Sequence, residues 1–236
     1  MVKFTLLVTG GLIPLRKDIV STVLKEGMVI GTKLSSCNVW VQNIIYKVKK
    51  RSVTVALLTD YLQNIIMCGE PFSIKYTTED SEYIFEGEVT KIDPDFPCSV
   101  TIDIVNVTEL KNQRIFPRAD VFLASNIKLE DSNKEYFSII HDISLVGVAF
   151  YCKDILETDG KQIEIFIYLP NEQTISAKGK IARTTFKNND IIDYGFQFTE
   201  MHEENNNSLS NFFGNLEEEK TKLRNHYTTS IKKHLM

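Results

Sequence analysis

Ile163-Glu164-Ile165-Phe166-Ile167-Tyr168-Leu169 leads into Pro170-Asn171-Glu172, after which Ile175, Ala177, Gly179 and Ile181 recur at every second position. A period of two puts one set of side chains on one face of an extended chain, so the stretch reads as two antiparallel strands joined at a turn. The same pattern spreads outward from it. Val100, Ile102 and Ile104 alternate, and the phase then slips to Val105 and Val107, as a β-bulge would cause. Phe72, Ile74 and Tyr76 face one way, and beyond the Glu79-Asp80-Ser81 turn Tyr83, Phe85, Gly87 and Val89 resume. Val53, Val55 and Leu57 alternate with Thr54, Ala56 and Leu58. Turn residues every ten positions or so, with no βαβ rhythm, make the chain all-β, built from barrels or sandwiches.

Two stretches depart from this rhythm. Residues 16–26 have a weak helical signal. Toward the C-terminus Leu209, Phe212, Phe213, Leu216, Leu223 and Tyr227 recur at helical spacing, with Ser208 or Ser210 available to cap and Glu218–Lys222 as an i,i+4 pair. This predicts a C-terminal α-helix whose apolar stripe packs on the protein's own barrel, preceded by a solvated loop at residues 203–207. A boundary is expected near residue 112, where the polar run from Glu109 to Arg118 contains Pro117 and suits an extended connector.

Composition narrows the function. The 236 residues include 27 Lys and Arg against 31 Asp and Glu, a net charge of −4, which is not the basic excess of a protein living on DNA or RNA. The four cysteines, Cys37, Cys68, Cys98 and Cys152, form no C-x-x-C pair and have no His at ligand spacing, so neither a metal site nor a disulfide framework is expected. Reduced thiols suit a cytoplasmic location. The apolar stretch from Phe4 to Leu15 is far short of the roughly 20 residues a membrane span needs and is broken by Gly10, Gly11 and Pro14. It reads as a segment packed on the body of the protein, not as an export signal.

Chemistry concentrates in Gln113-Arg114-Ile115-Phe116-Pro117-Arg118 and in His141-Asp142-Ile143-Ser144-Leu145-Val146-Gly147. Pro117 disfavours a helix, so Arg114 and Arg118 ride on a bendable strap that can wrap a planar anion. Guanidinium forks bind phosphate or the O6/N7 edge of guanine, and their flat faces stack on bases. Asp142 and Ser144 lie two apart and project to one side of an extended strand. A carboxylate complements the N1–H and amino group of guanine, while a serine hydroxyl can serve a phosphate or another base edge. Gly147 permits a positive φ in a turn or the close approach of a ligand. Together these are the parts of a guanine-nucleotide site.

R-x-x-x-R followed by D-x-S-x-x-G some two dozen residues on resembles the PilZ domain, the bacterial receptor module for cyclic di-GMP. The resemblance covers residues 112–236 and includes Tyr194-Gly195-Phe196-Gln197-Phe198 as the closing strand and the C-terminal helix. Residues 24–111, through Gly69-Glu70-Pro71-Phe72 and Phe85-Glu86-Gly87-Glu88-Val89, are similar to the companion domain of YcgR-type flagellar-brake proteins; residues 1–23 form an extension outside it. The resemblance implies two β-barrels, an N-terminal split-barrel-like one and a C-terminal PilZ barrel. It implies cyclic di-GMP as ligand, with Arg114 and Arg118 on guanine edges and phosphates, Asp142 and Ser144 reading a guanine, and Gly147 shaping the turn. Gln113 stands where the family varies, so both one nucleotide and an intercalated pair fit.

Plainer readings exist for each feature. The arginines could pair with Asp120 or Glu109 beside a linker, and Asp142 and Ser144 could cap a turn with Gly147 at positive φ. His141 has no Ser or Cys partner and reads as structural, Trp40 as core, and Lys47, Lys49, Lys50 and Arg51 as a solvated hairpin. No nucleophile elbow, Walker A or paired acid/base signature marks an enzyme. The expectation is a non-enzymatic cyclic di-GMP receptor that changes inter-domain geometry and acts on a protein partner in the flagellar motor at the basal body. The alternatives are a regulator of exopolysaccharide synthesis or another output, and a ligand-free interaction module.

Overall fold

Strands with one apolar face are stable only when that face is covered, and here the sheet curls shut on itself twice. The computed structural model describes residues 11–12, 19–37, 39–129, 134–156, 162–187 and 190–235. The expected N-terminal extension and the stretch from Phe4 to Leu15 lie largely outside these residues. The chain divides into two units: residues 1–113 with 219–236, and residues 114–218. No helix among the described residues is long and apolar enough to cross a membrane.

The first unit contains β1 (Gly11–Leu12), α1 (Ile19–Val23), β2 (Val29–Leu34), β3 (Val41–Lys49), β4 (Ser52–Ala56), α2 (Thr59–Gln63), β5 (Pro71–Thr77), β6 (Ser81–Asp93) and β7 (Ser99–Lys111). Its antiparallel order is β1-β7-β4-β3-β2-β5-β6, and pairing of β6 with β7 closes the barrel. The phase slip is a bulge. Glu86 pairs with Asn106 but Gly87 with Ile104, leaving Val105 as the extra residue, exposed beside buried Ile104 and Val107. Inside, the Tyr61 hydroxyl meets Thr32 Oγ1 and accepts from Asn43 Nδ2 at 2.7 Å, so three buried polar groups satisfy one another. Burial, the largest cause, raises the Tyr61 pKa well above the ordinary tyrosine value. Trp40 does not join the core. It lies partly exposed, with Lys33 Nζ 4.9 Å and Lys75 Nζ 4.6 Å from its ring, close enough for both ammonium groups to be drawn to the ring face.

The second unit contains β8 (Ala119–Leu129), β9 (Glu135–Ser144), β10 (Gly147–Cys152), β11 (Ile163–Tyr168), β12 (Thr174–Phe186) and β13 (Ile192–Glu200) in a closed barrel ordered β10-β13-β12-β11-β8-β9. Ile127, Ile140, Ile143, Phe150, Ile165 and Ile167 are fully buried inside it. Fully burying a side chain of this kind contributes about 1.5–3 kcal/mol.

The terminal helix α3 (Glu203–His226) starts before either serine expected to cap it, and it includes the stretch read as a loop. Glu203 and Glu204 favour the positive end of the helix dipole, and Asn205 Nδ2 donates to the Ser176 carbonyl at 2.9 Å. Leu209 and Phe212 are buried in the second unit's core. Leu223 and Tyr227 go elsewhere: with Ile231 they cluster with Ile44 and Tyr46 of the first unit, Tyr46 and Tyr227 stacking at 6.1 Å. The apolar stripe is thus shared between two cores.

Candidate functional site

Residues 112–118 form neither helix nor strand, as Pro117 leads one to expect, and Arg114 and Arg118 are both on its exposed surface. β8 begins immediately after Arg118 and pairs antiparallel with β9, with Asp120 opposite Asp142. That register brings the two halves of the motif together. Arg118 Nη1 donates to Asp142 Oδ2 at 3.2 Å across 24 residues of sequence. Arg118 is 44% exposed and Asp142 20%, so the pair meets solvent and is open to exchange. Two carboxylates facing each other across a ladder repel, and the guanidinium relieves this. Arg118 thus has Asp142 as a partner, while Glu109, which the plainer reading also offered, accepts from Ser81 and Tyr83.

Ser144 sits at the end of β9 and is 3% exposed. Its hydroxyl donates to the Gly147 carbonyl at 3.0 Å and accepts from the Val146 N–H at 3.4 Å, which fastens the two-residue turn between β9 and β10. Gly147 serves close approach, and the approach is to the protein itself. A Cβ there would lie 2.3 Å from the Phe196 carbonyl oxygen on β13, while its φ is outside the left-handed region. Ile115, 90% exposed, and Phe116, 41% exposed, flank the arginines with apolar surface.

A second charged cluster, with no sequence signature of its own, stands next to Asp142. Asp193 on β13 is 4% exposed and receives His141 Nε2 at 3.2 Å and Arg183 Nη2 at 3.3 Å, with Lys187 Nζ at 3.7 Å. Burial, the largest influence, opposes its ionisation. The His141 hydrogen bond and the charges of His141, Arg183 and Lys187 outweigh burial and hold its pKa below the ordinary carboxylate value. An acidic residue between Ile192 and Tyr194 in a closing strand was the only hint of it. Among the described residues no group of three or more His, Cys, Asp or Glu side chains could hold a metal.

A model of the PilZ domain family matches residues 112–214, which span this whole arrangement. A search of curated proteins finds no match. Among solved structures, the chain is similar to the inhibitor of motility MotI/DgrA of Bacillus subtilis (13% identity, TM-score 0.38, covering 79% of this chain and 94% of that one). It is also similar to Escherichia coli YcgR in complex with c-di-GMP (15%, 0.42, 82% and 86%) and to the K. pneumonia MrkH–c-di-GMP complex (14%, 0.43, 82% and 89%).

Proposed function

We propose that this chain, whose residues 112–214 match a model of the PilZ domain family, is a non-enzymatic receptor for cyclic di-GMP. The observation that carries the reading is the meeting of Arg118 and Asp142 at 3.2 Å on a part-exposed stretch of the barrel, directly beside the strap that holds Arg114. In the free protein each group partly satisfies the other. The ligand offers each a better partner: a phosphate or guanine acceptor edge for the guanidinium, and the N1–H and amino group of guanine for the carboxylate. Arg114 adds a second fork from the strap. Ser144 and Gly147 hold the turn that presents Asp142, and Gln113, at the position where the family varies, fits either one nucleotide or an intercalated pair.

The strap is also one of the two places where the chain passes from one unit to the other, the second lying within α3. A ligand that orders it restricts the connection and biases domain orientation, with a coupling typically of about 1–3 kcal/mol. The resemblance of residues 24–111 to the YcgR-type companion domain supports flagellar motility as the output, through a motor protein partner. Titration calorimetry with cyclic di-GMP, beside GTP and cyclic di-AMP, tests the ligand. Heat from the guanine dinucleotide alone is expected, and silence with all three overturns the reading. Scattering with and without ligand tests the coupling, and identical curves would reduce the protein to a passive binder. Loss of the gene is expected to change swimming speed; unchanged swimming would move the output elsewhere.

A further inference from the structure

We propose that His141 and Asp193 are positioning residues that set the direction of Asp142 and so tune its grip on guanine. This deepens the cyclic di-GMP reading and rests on it. Ile140 and Ile143 on β9 are both fully buried in the barrel, yet the two residues between them, His141 and Asp142, are both only partly buried. Regular alternation would have sent one of that pair inward. The register supplies the reason. Asp142 pairs with Ala149 and Ile140 pairs with Phe150, so β9 has one residue more than β10 at this point and His141 is the extra one. The bulge re-aims Asp142 off the ladder's normal course.

A bulge forgoes ladder hydrogen bonds and needs another anchor to hold one geometry. His141 has two. Its ring stacks on Tyr151 at 4.2 Å with a 21° interplanar angle, and its Nε2 lies 3.2 Å from Asp193 Oδ1. Tyr151 and Asp193 are themselves cross-strand partners on β10 and β13, so both contacts of the bulged residue come from one rung of the barrel. Asp193 is a buried anion held by His141, Arg183 and Lys187, a costly group to retain if it only filled space. It has no direct contact with the Arg118–Asp142 pair in which ligand recognition is placed. Its action on that pair runs through His141, the residue next to Asp142 in the chain.

The test is a double-mutant cycle on cyclic di-GMP affinity in the full chain. His141→Phe keeps the stack on Tyr151 and loses the hydrogen bond to Asp193. His141→Gln keeps a donor. Expected is a roughly tenfold loss of affinity for His141→Phe, within the range that coupling between contacting residues spans, and recovery of most of it by His141→Gln. In an Asp142→Ala background His141→Phe should change affinity no further, because the residue it positions is gone. A general loosening of the barrel would weaken binding in both backgrounds, and that additivity would overturn the proposal. So would equal affinity of His141→Phe and wild type. Absence of binding by the wild type would instead overturn the receptor reading. Asp193→Asn should match His141→Phe; if that variant does not fold, His141→Phe, which leaves Asp193 its Arg183 and Lys187 partners, carries the test.

Discussion

Arg118→Ala is expected to leave the fold nearly untouched while removing most of the affinity for cyclic di-GMP. In the free protein Arg118 makes a single 3.2 Å contact with Asp142, from a side chain that is 44% exposed. Ion pairs in such surroundings contribute about 0–1 kcal/mol, which for a chain of this length moves Tm by at most about 4 °C. The bound state is different, because the ligand covers the pair. Loss of the guanidinium would leave a desolvated phosphate or guanine edge without its partner, at a cost of about 2–5 kcal/mol. That corresponds to a roughly 30- to 5,000-fold higher Kd. Calorimetric titration and a thermal melt on the same samples give both quantities. Unchanged affinity would remove the strap from the binding mechanism. A fall in Tm far beyond the few degrees expected would show that the pair clamps the barrel and that its ligand role had been misassigned.

Gly147→Ala places a methyl group 2.3 Å from the Phe196 carbonyl oxygen, so β10 and β13 must separate; denaturant unfolding should show a loss of about 1–3 kcal/mol, and an unchanged midpoint would contradict the close-approach argument. Asp193 has a folded-state pKa lowered below its unfolded value of about 4, so its contribution is complete above that pH and is lost as pH falls through the folded pKa. The urea midpoint of the wild type should therefore drop more steeply below about pH 5 than that of Asp193→Asn, and parallel curves would refute the linkage. Tyr61→Phe leaves Thr32 and Asn43 buried without their shared partner and should cost about 1–3 kcal/mol in urea unfolding; a neutral effect would mean that the two re-pair locally.

Much of the first unit was legible because its strands each bury one face. The slip after Ile104 was legible as a bulge, since a bulge inverts the alternation on either side of it, but only the strand register shows that Val105 is the extra residue and faces outward while Val107 is buried. The helix start was not legible. Asn205, Asn206 and Asn207 look like loop residues by propensity, and it takes the Ser176 carbonyl on a neighbouring strand to make Asn205 useful in a first turn. Trp40 was misplaced because hydrophobicity alone says nothing about whether a large ring lies inside a barrel or at its surface. Its two lysine neighbours come from β2 and β5.

The candidate site divides along the same line. Residue types and their spacing singled out Arg114, Arg118 and Asp142 as candidate partners for a guanine nucleotide, because the donors and acceptors of a base and a phosphate are matched by few side chains. Spacing along the chain also put Asp142 and Ser144 on one side of a strand, whereas the folded chain turns Ser144 onto the Gly147 carbonyl and seats Gly147 against Phe196. Asp193 and its hold on the bulged His141 could not be read from sequence at all, because 52 residues separate the two and only closure of the barrel makes them neighbours. Local chemistry specifies which groups a ligand needs. The direction each group faces depends on strand register and barrel closure, which are settled by burial of the whole apolar face and not by any short stretch of sequence.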